Sequence, residues 1–280
     1  WGARLWRGPP APELIEDEPL LRAELLSADQ MERHGRILAN AHKLALKPGP
    51  DRLLARLADN EAVLIGVCNL LTGAVTANRR ISPAGEWLLD NSYLIEEQIR
   101  TAKRHLPRRY SRELPRLAYG PSSGRPRVYD IALEAVSHGD GRIDLERLSR
   151  FVAAYQKVTG LALGELWAIP IMLRLALIEN LRRVAARISA GTTDRDQAAS
   201  WADRMMEVAT RDPKSLILMI ADMARSGPPM SSPFVSEFAR RLQELKKEFP
   251  IALSEIQTRT PDQRKLNAQG HNGCDYFDNG

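Results

Sequence analysis

Behind Ser27, the apolar residues Met31, Ile37, Leu38, Ala41 and Leu44 recur at helical spacing, and Gln30 stands three places after the serine. A hydroxyl at the N-cap with a glutamine at the third helical position is a capping box, so the spacing predicts a helix from Ser27 onward. Lys47-Pro48-Gly49-Pro50 stops it, and Asp51 opens a second helix with Leu54, Leu57, Leu64, Leu71 and Val75 on one face. One device then recurs. Ser82-Pro83, Asp212-Pro213 and Ser232-Pro233 each place a side-chain acceptor before a proline, which suits a helix start because the missing N–H would lack a partner there anyway. The first of these predicts a helix over 83–105, ended before Pro107, with Trp87, Asn91, Tyr93, Leu94 and Gln98 spaced to reach its neighbours.

A proline-broken connection over 107–126 follows, then a short helix over 128–137 closed by Gly139-Asp140-Gly141. Asp144 caps the next helix, with Leu148, Phe151, Val152 and Tyr155 turned inward. The strongest apolar stripe, Leu166, Leu173, Leu177, Leu181, Val184 and Ile188, lies over 163–188, where Pro170 is expected to kink the helix or set its start. Thr193 and Asp196 have capping-box spacing and predict a further helix through Trp201, Met205 and Val208. Helices over 213–224 and 233–248 complete the set. No alternating strand pattern stands out. The fold class is therefore all-α, an irregular multi-helix bundle with short loops and no substantial sheet. Residues 1–19 read as a flexible Pro-rich segment, 20–248 as one helical region, and 249–280 as a polar, disordered or foreign tail.

Composition alters this picture little. Over 280 residues, 44% are hydrophobic and 27% charged, which is ordinary for a globular protein, and two cysteines exclude a disulfide scaffold. The longest uncharged run, 62–78, is interrupted by glycines and polar residues and falls short of the roughly 20 apolar residues that span a bilayer. Charge is unevenly placed. Arg100, Lys103, Arg104, Arg108, Arg109, Arg112, Arg116, Arg125 and Arg127 crowd one stretch whose single acid is Glu113, so the rest of a chain of net charge +5 is net acidic. Guanidinium forks bind phosphates and carboxylates bidentately. Arg108, Arg109, Arg112 and Arg116 are thus candidates for docking or anion binding.

The remaining constellations carry no chemistry by themselves. Glu86, Asp90 and Glu97 lie along one predicted helix without a histidine on that face, and ion pairing to Arg100 and Lys103 is the simpler reading. Thr193-Asp194-Arg195-Asp196 holds an Asp-x-Asp string, but it opens a helix rather than following a strand. Asp140-Gly141-Arg142-Ile143-Asp144 lacks the ligands of a calcium loop. Gly120-Pro121-Ser122-Ser123-Gly124 lacks a phosphate-loop lysine. His271 and Cys274 form a lone pair in the tail. No residue is assigned a catalytic or metal-binding role.

Three strings are more specific: Glu86-Trp87-Leu88-Leu89-Asp90-Asn91-Ser92-Tyr93-Leu94-Ile95-Glu96-Glu97, then Tyr110-Ser111-Arg112-Glu113-Leu114-Pro115-Arg116-Leu117, then Gly164-Glu165-Leu166-Trp167-Ala168-Ile169-Pro170-Ile171-Met172. In this order they resemble the N-terminal region of cyclic β-1,2-glucan synthases over about residues 19–243. The resemblance implies a very large bacterial inner-membrane glycosyltransferase that polymerises glucose from UDP-glucose and closes the glucan into a ring. It places this stretch ahead of the membrane helices and the transferase motifs, facing the cytoplasm. It also implies that the full enzyme uses a divalent metal with UDP-glucose, that none of this cofactor chemistry sits here, and that the chain alone is inactive. The expected partners are the remaining transferase and membrane domains rather than nucleic acid. Trp87, Asp90, Tyr93, Glu97 and Trp167 become candidate structural or interface residues. With Trp1 first, and with the resemblance fading after Gln243, the sequence is expected to be a fragment. Two rivals remain open: a free-standing module binding RNA or phosphate through the basic stretch, and direct help in binding UDP-glucose.

Overall fold

The Ser27 hydroxyl accepts the Gln30 N–H while the Gln30 side chain accepts the Ser27 N–H, and this reciprocal box starts α1 (Ala28–Ala41). In this computed structural model, residues 24–46, 50, 52–106 and 110–248 are described. Among these residues eight more helices follow: α2 (Leu53–Thr76), α3 (Pro83–Asp90), α4 (Ser92–His105), α5 (Arg127–Ser137), α6 (Leu145–Gln156), α7 (Leu163–Arg211), α8 (Leu216–Ser226) and α9 (Ser232–Glu248). Among the described residues there is no strand, only isolated bridges between Leu44 and Leu117 and between Arg116 and Pro126. The fold is all-α, as the periodicity requires. No helix among the described residues is long and apolar enough to cross a membrane.

Local capping follows the sequence where donor and acceptor are close in the chain. Ser82 accepts from the Gly85 N–H and Asp144 from the Arg147 N–H, at 3.2 and 2.9 Å. Asp212 accepts from the Lys214 N–H and from the Ser215 hydroxyl, opening a 3-10 turn over Pro213–Ser215 ahead of α8. Three expectations need correction. The helix predicted over 83–105 is two, because Asn91, with ψ near 9°, leaves helical geometry, and its side-chain amide donates to the Trp87 carbonyl at 2.8 Å. Thr193 and Asp196 do not start a helix. They lie inside the 49-residue α7, whose helical backbone runs on through Gly191 and Thr192 without a break. The last helix takes its cap from Ser231 rather than Ser232, since the Ser231 hydroxyl accepts the Phe234 N–H.

Two units form along the chain, 1–190 and 191–280, and the division falls within α7. The core of the first unit joins Leu57, Leu64, Val67 and Leu71 of α2 with Leu88, Ile95 and Ile99. From α5 and α6 it takes Val128, Ile131, Phe151 and Tyr155, and from α7 Met172 and Ala176. The buried track on α2 is 67, 71, 74, so Val75, turned 100° from Ala74, is exposed against expectation. In α7 the buried residues from Ala168 to Ile178 face several directions, so that part of the helix is enclosed. Pro170, the eighth residue of α7, does not set the helix start; it lies inside the helix on its exposed side, where it leaves the Leu166 carbonyl without its i→i−4 donor. Close approach shapes the α1–α6 contact: a Cβ on Gly35 would lie 2.8 Å from the Phe151 carbonyl oxygen. The second unit has its own small core, Ala198, Trp201, Met205, Met223 and Phe234, with Arg204 stacked on the Trp201 ring at 3.8 Å.

Candidate functional site

The basic stretch is not one surface. Arg108 and Arg109 lie outside the described residues. Arg112 is exposed. Arg116, expected to dock on a partner, is instead buried: its guanidinium donates to the carbonyls of Pro50 at 2.6 Å, Gly124 at 2.7 Å and Ser111 at 3.0 Å. Carbonyls stranded by the proline-broken connection need donors, and a five-donor fork supplies several at once. Arg116 therefore pins this segment from within. Arg127 is also buried. Its Nε and Nη2 donate to the two carboxylate oxygens of Glu165, both at 2.6 Å, and Nη2 reaches the Gly160 carbonyl at 2.8 Å. An anion-binding patch made of the whole stretch is thus ruled out by the inward turn of two of its members.

A second network surrounds Glu179, which is fully buried. Arg56 donates to it through two nitrogens, at 2.9 and 2.6 Å, and Asn60, Arg182 and Arg183 add donors at 2.9, 3.2 and 3.1 Å. Burial by itself would raise the Glu179 pKa, but the hydrogen bonds and charges, Arg56 foremost, outweigh it and hold the carboxyl at about 2. A third set is a relay: His42 contacts the Tyr155 hydroxyl at 2.8 Å through Nδ1 and Asp130 at 3.0 Å through Nε2. Burial pushes the Tyr155 phenol upward, so that it stays a neutral hydroxyl. In both sets the carboxylates, Glu179 and Asp130, are engaged by side chains of this chain.

The five candidate structural or interface residues are all exposed. Trp87 is 54%, Tyr93 72% and Trp167 76% exposed, and Asp90 and Glu97 are exposed as well. Leu88, Ile95 and Ile99 take the buried positions instead, one residue away from Trp87 and Leu94. Among the described residues, no ion pair joins Asp90 or Glu97 to Arg100 or Lys103; Lys103 pairs with Glu61 of α2. The outcome is a line of Trp87, Asp90, Leu94 and Glu97 along α3 and α4, aromatic and acidic, with Tyr93 beside it.

One cluster escaped the sequence reading. His34 of α1 meets Glu134 of α5, Nε2 to Oε2, at 2.7 Å, and His138 at the end of α5 meets the same oxygen through Nε2 at 3.3 Å. Their candidate ligand atoms lie within 4.8 Å of one another. Glu134 and His138 are four apart on one helix, which was a usable signal. The third member comes from 100 residues earlier. The His34 ring is parallel to Phe151 and edge-on to His138.

The Asp-x-Asp string does not fit a nucleotide-sugar metal. Asp194 and Asp196 are half a helical turn apart, so their side chains diverge, and Asp194 accepts a 2.6 Å hydrogen bond from the Ser231 hydroxyl.

No family profile matches the chain. A curated relative does: the cyclic beta-(1,2)-glucan synthase NdvB of Rhizobium meliloti (strain 1021) is 34% identical over 215 residues, 76% of this chain. The chain spans 8% of that relative's length. The resemblance carried by the three strings therefore extends over three quarters of the sequence, and the chain is similar to one segment of a cyclic β-(1,2)-glucan synthase.

Proposed function

We propose that this chain is the helical, non-catalytic N-terminal region of a membrane-bound cyclic β-1,2-glucan synthase. In this reading it stands at the cytoplasmic face of the bacterial inner membrane and docks against the transferase and membrane parts of the same enzyme. The observation that carries the proposal is the 215-residue similarity to NdvB. The inward use of the strongest charges supports the non-catalytic part, since Glu165 and Glu179 are spent on arginines of this chain. UDP-glucose and its divalent metal are then handled by the rest of the enzyme.

The face of α3 and α4 bearing Trp87, Leu94 and Tyr93 is the proposed docking surface, flanked by Asp90 and Glu97. Exposed tryptophan and tyrosine are the residue types that most often dominate binding energy at an interface. Arg108, Arg109 and Arg112 are left to meet an acidic partner, without Arg116. The test is capture of the remaining synthase from detergent-solubilised membranes by the tagged chain. Replacing Trp87 and Tyr93 together by alanine should abolish capture while leaving the far-UV circular dichroism unchanged. Full capture by that variant would overturn the docking face.

A further inference from the structure

We infer that His34, Glu134 and His138 form a binding site for a divalent transition-metal ion of the zinc class. The argument begins with hydrogens. His138 Nδ1 lies 2.7 Å from the Glu24 carbonyl oxygen, which can only accept, so Nδ1 carries the hydrogen. That leaves Nε2 as the metal-binding nitrogen, aimed at Glu134. A backbone carbonyl on the far ring nitrogen is the usual partner that fixes the tautomer and orientation of a metal-bound histidine. A bare Nε2 lone pair 3.3 Å from a carboxylate oxygen is repulsive, so a cation belongs between them, either a proton or a metal.

The geometry favours a metal. Zinc bonds to nitrogen and oxygen of about 2.0–2.1 Å in a tetrahedron put neighbouring ligand atoms about 3.3 Å apart. His138 Nε2 and Glu134 Oε2 already stand at 3.3 Å, and His34 Nε2 would have to retreat by about 0.6 Å from its 2.7 Å contact to match. Two imidazoles and one carboxylate suit a borderline cation better than calcium or magnesium, which prefer all-oxygen shells. The ligands are held on rigid elements. His34 lies against Phe151, which is fully buried, and Glu134 and His138 share one turn at the end of α5. All three side chains keep some exposure, which gives an ion a way in and leaves further coordination positions to water. Bound metal would tie α1 to α5. This inference does not depend on the proposed docking role.

The experiment uses the whole 280-residue chain, stripped with chelator and titrated with Zn2+ by calorimetry and with Co2+ by visible absorption. The expected result is one saturable equivalent with cobalt d–d bands of four- or five-coordinate intensity. His34→Ala and His138→Ala should each weaken binding at least tenfold, while Glu134→Gln weakens it and retains fold by circular dichroism. A variant with His271→Ala and Cys274→Ala should bind as the parent does. Absence of saturable binding would overturn the site and leave a proton-held histidine–glutamate cluster. Undiminished binding in the histidine variants would overturn it equally, as would loss of binding in the tail variant.

Discussion

Replacing Glu165 by alanine removes the only carboxylate that meets Arg127 among the described residues, and leaves that guanidinium 4% exposed with neutral partners such as the Gly160 carbonyl. Taking one partner from a buried ion pair costs about 3–5 kcal/mol, because the remaining charge keeps its desolvation penalty and loses its compensation. Glu165 also accepts the Ala162 N–H at 2.9 Å at the start of α7, so the cost belongs at the upper end. For a unit of roughly 150–250 residues, 1 kcal/mol moves the melting temperature by about 2–4 °C. Glu165→Ala should therefore lower the transition of the first unit by roughly 10–20 °C in scanning calorimetry. The paired change Arg127→Met with Glu165→Leu removes both charges and should recover much of the loss. Recovery should be incomplete, because the Ala162 N–H and the Gly160 carbonyl each lose a partner, at about 1–3 kcal/mol if unsatisfied. A melting temperature within 2 °C of the parent for Glu165→Ala, or a double variant less stable than the single, would refute this assignment of the pair.

Three further outcomes follow from the packing. Gly35→Ala should cost about 1–3 kcal/mol, read by urea denaturation, because the new methyl meets the Phe151 backbone and α1 must move off α6. Glu179 has its folded pKa depressed from 4.5 to about 2, so its contribution is fully present above about pH 5 and is lost as pH falls towards 2. Stability should drop by about 3 kcal/mol over that window from this group, and Glu179→Gln should flatten that part of the acid profile at the expense of stability at neutral pH. Trp87→Ala should change stability by no more than about 1 kcal/mol, against 3–5 for a tryptophan removed from a core, and a thermal melt distinguishes the two.

Ser27, Ser82 and Asp144 were legible because a cap is a contract between residues two or three apart, with nothing else required. The apolar period likewise located most helices. The side of a helix that faces the core was harder to read. Around α3 and α4 apolar residues occupy several faces, and Leu88 rather than Trp87 is the buried one on helices that pack against α2. Thr193 and Asp196 carry a true capping pattern that a continuous backbone ladder overrides. The polar pairs were invisible for a different reason. Arg127 and Glu165 are 38 residues apart, and Arg56 and Glu179 are 123 apart, so no local pattern marks them. The basic stretch was legible as charge but not as topology, and Arg116 and Arg127 turned inward to serve carbonyls and a carboxylate.

The most direct test of the central claim is UDP-glucose-dependent glucan formation, measured with radiolabelled sugar nucleotide in three preparations. These are the purified chain, membranes carrying a synthase with the corresponding segment deleted, and the same membranes supplied with the chain. The expected result is no labelled glucan from the chain alone, impaired synthesis in the deleted membranes, and recovery on addition of the chain. Label transfer by the chain alone would contradict its non-catalytic role, and full synthesis by membranes lacking the segment would contradict its role as a docking region.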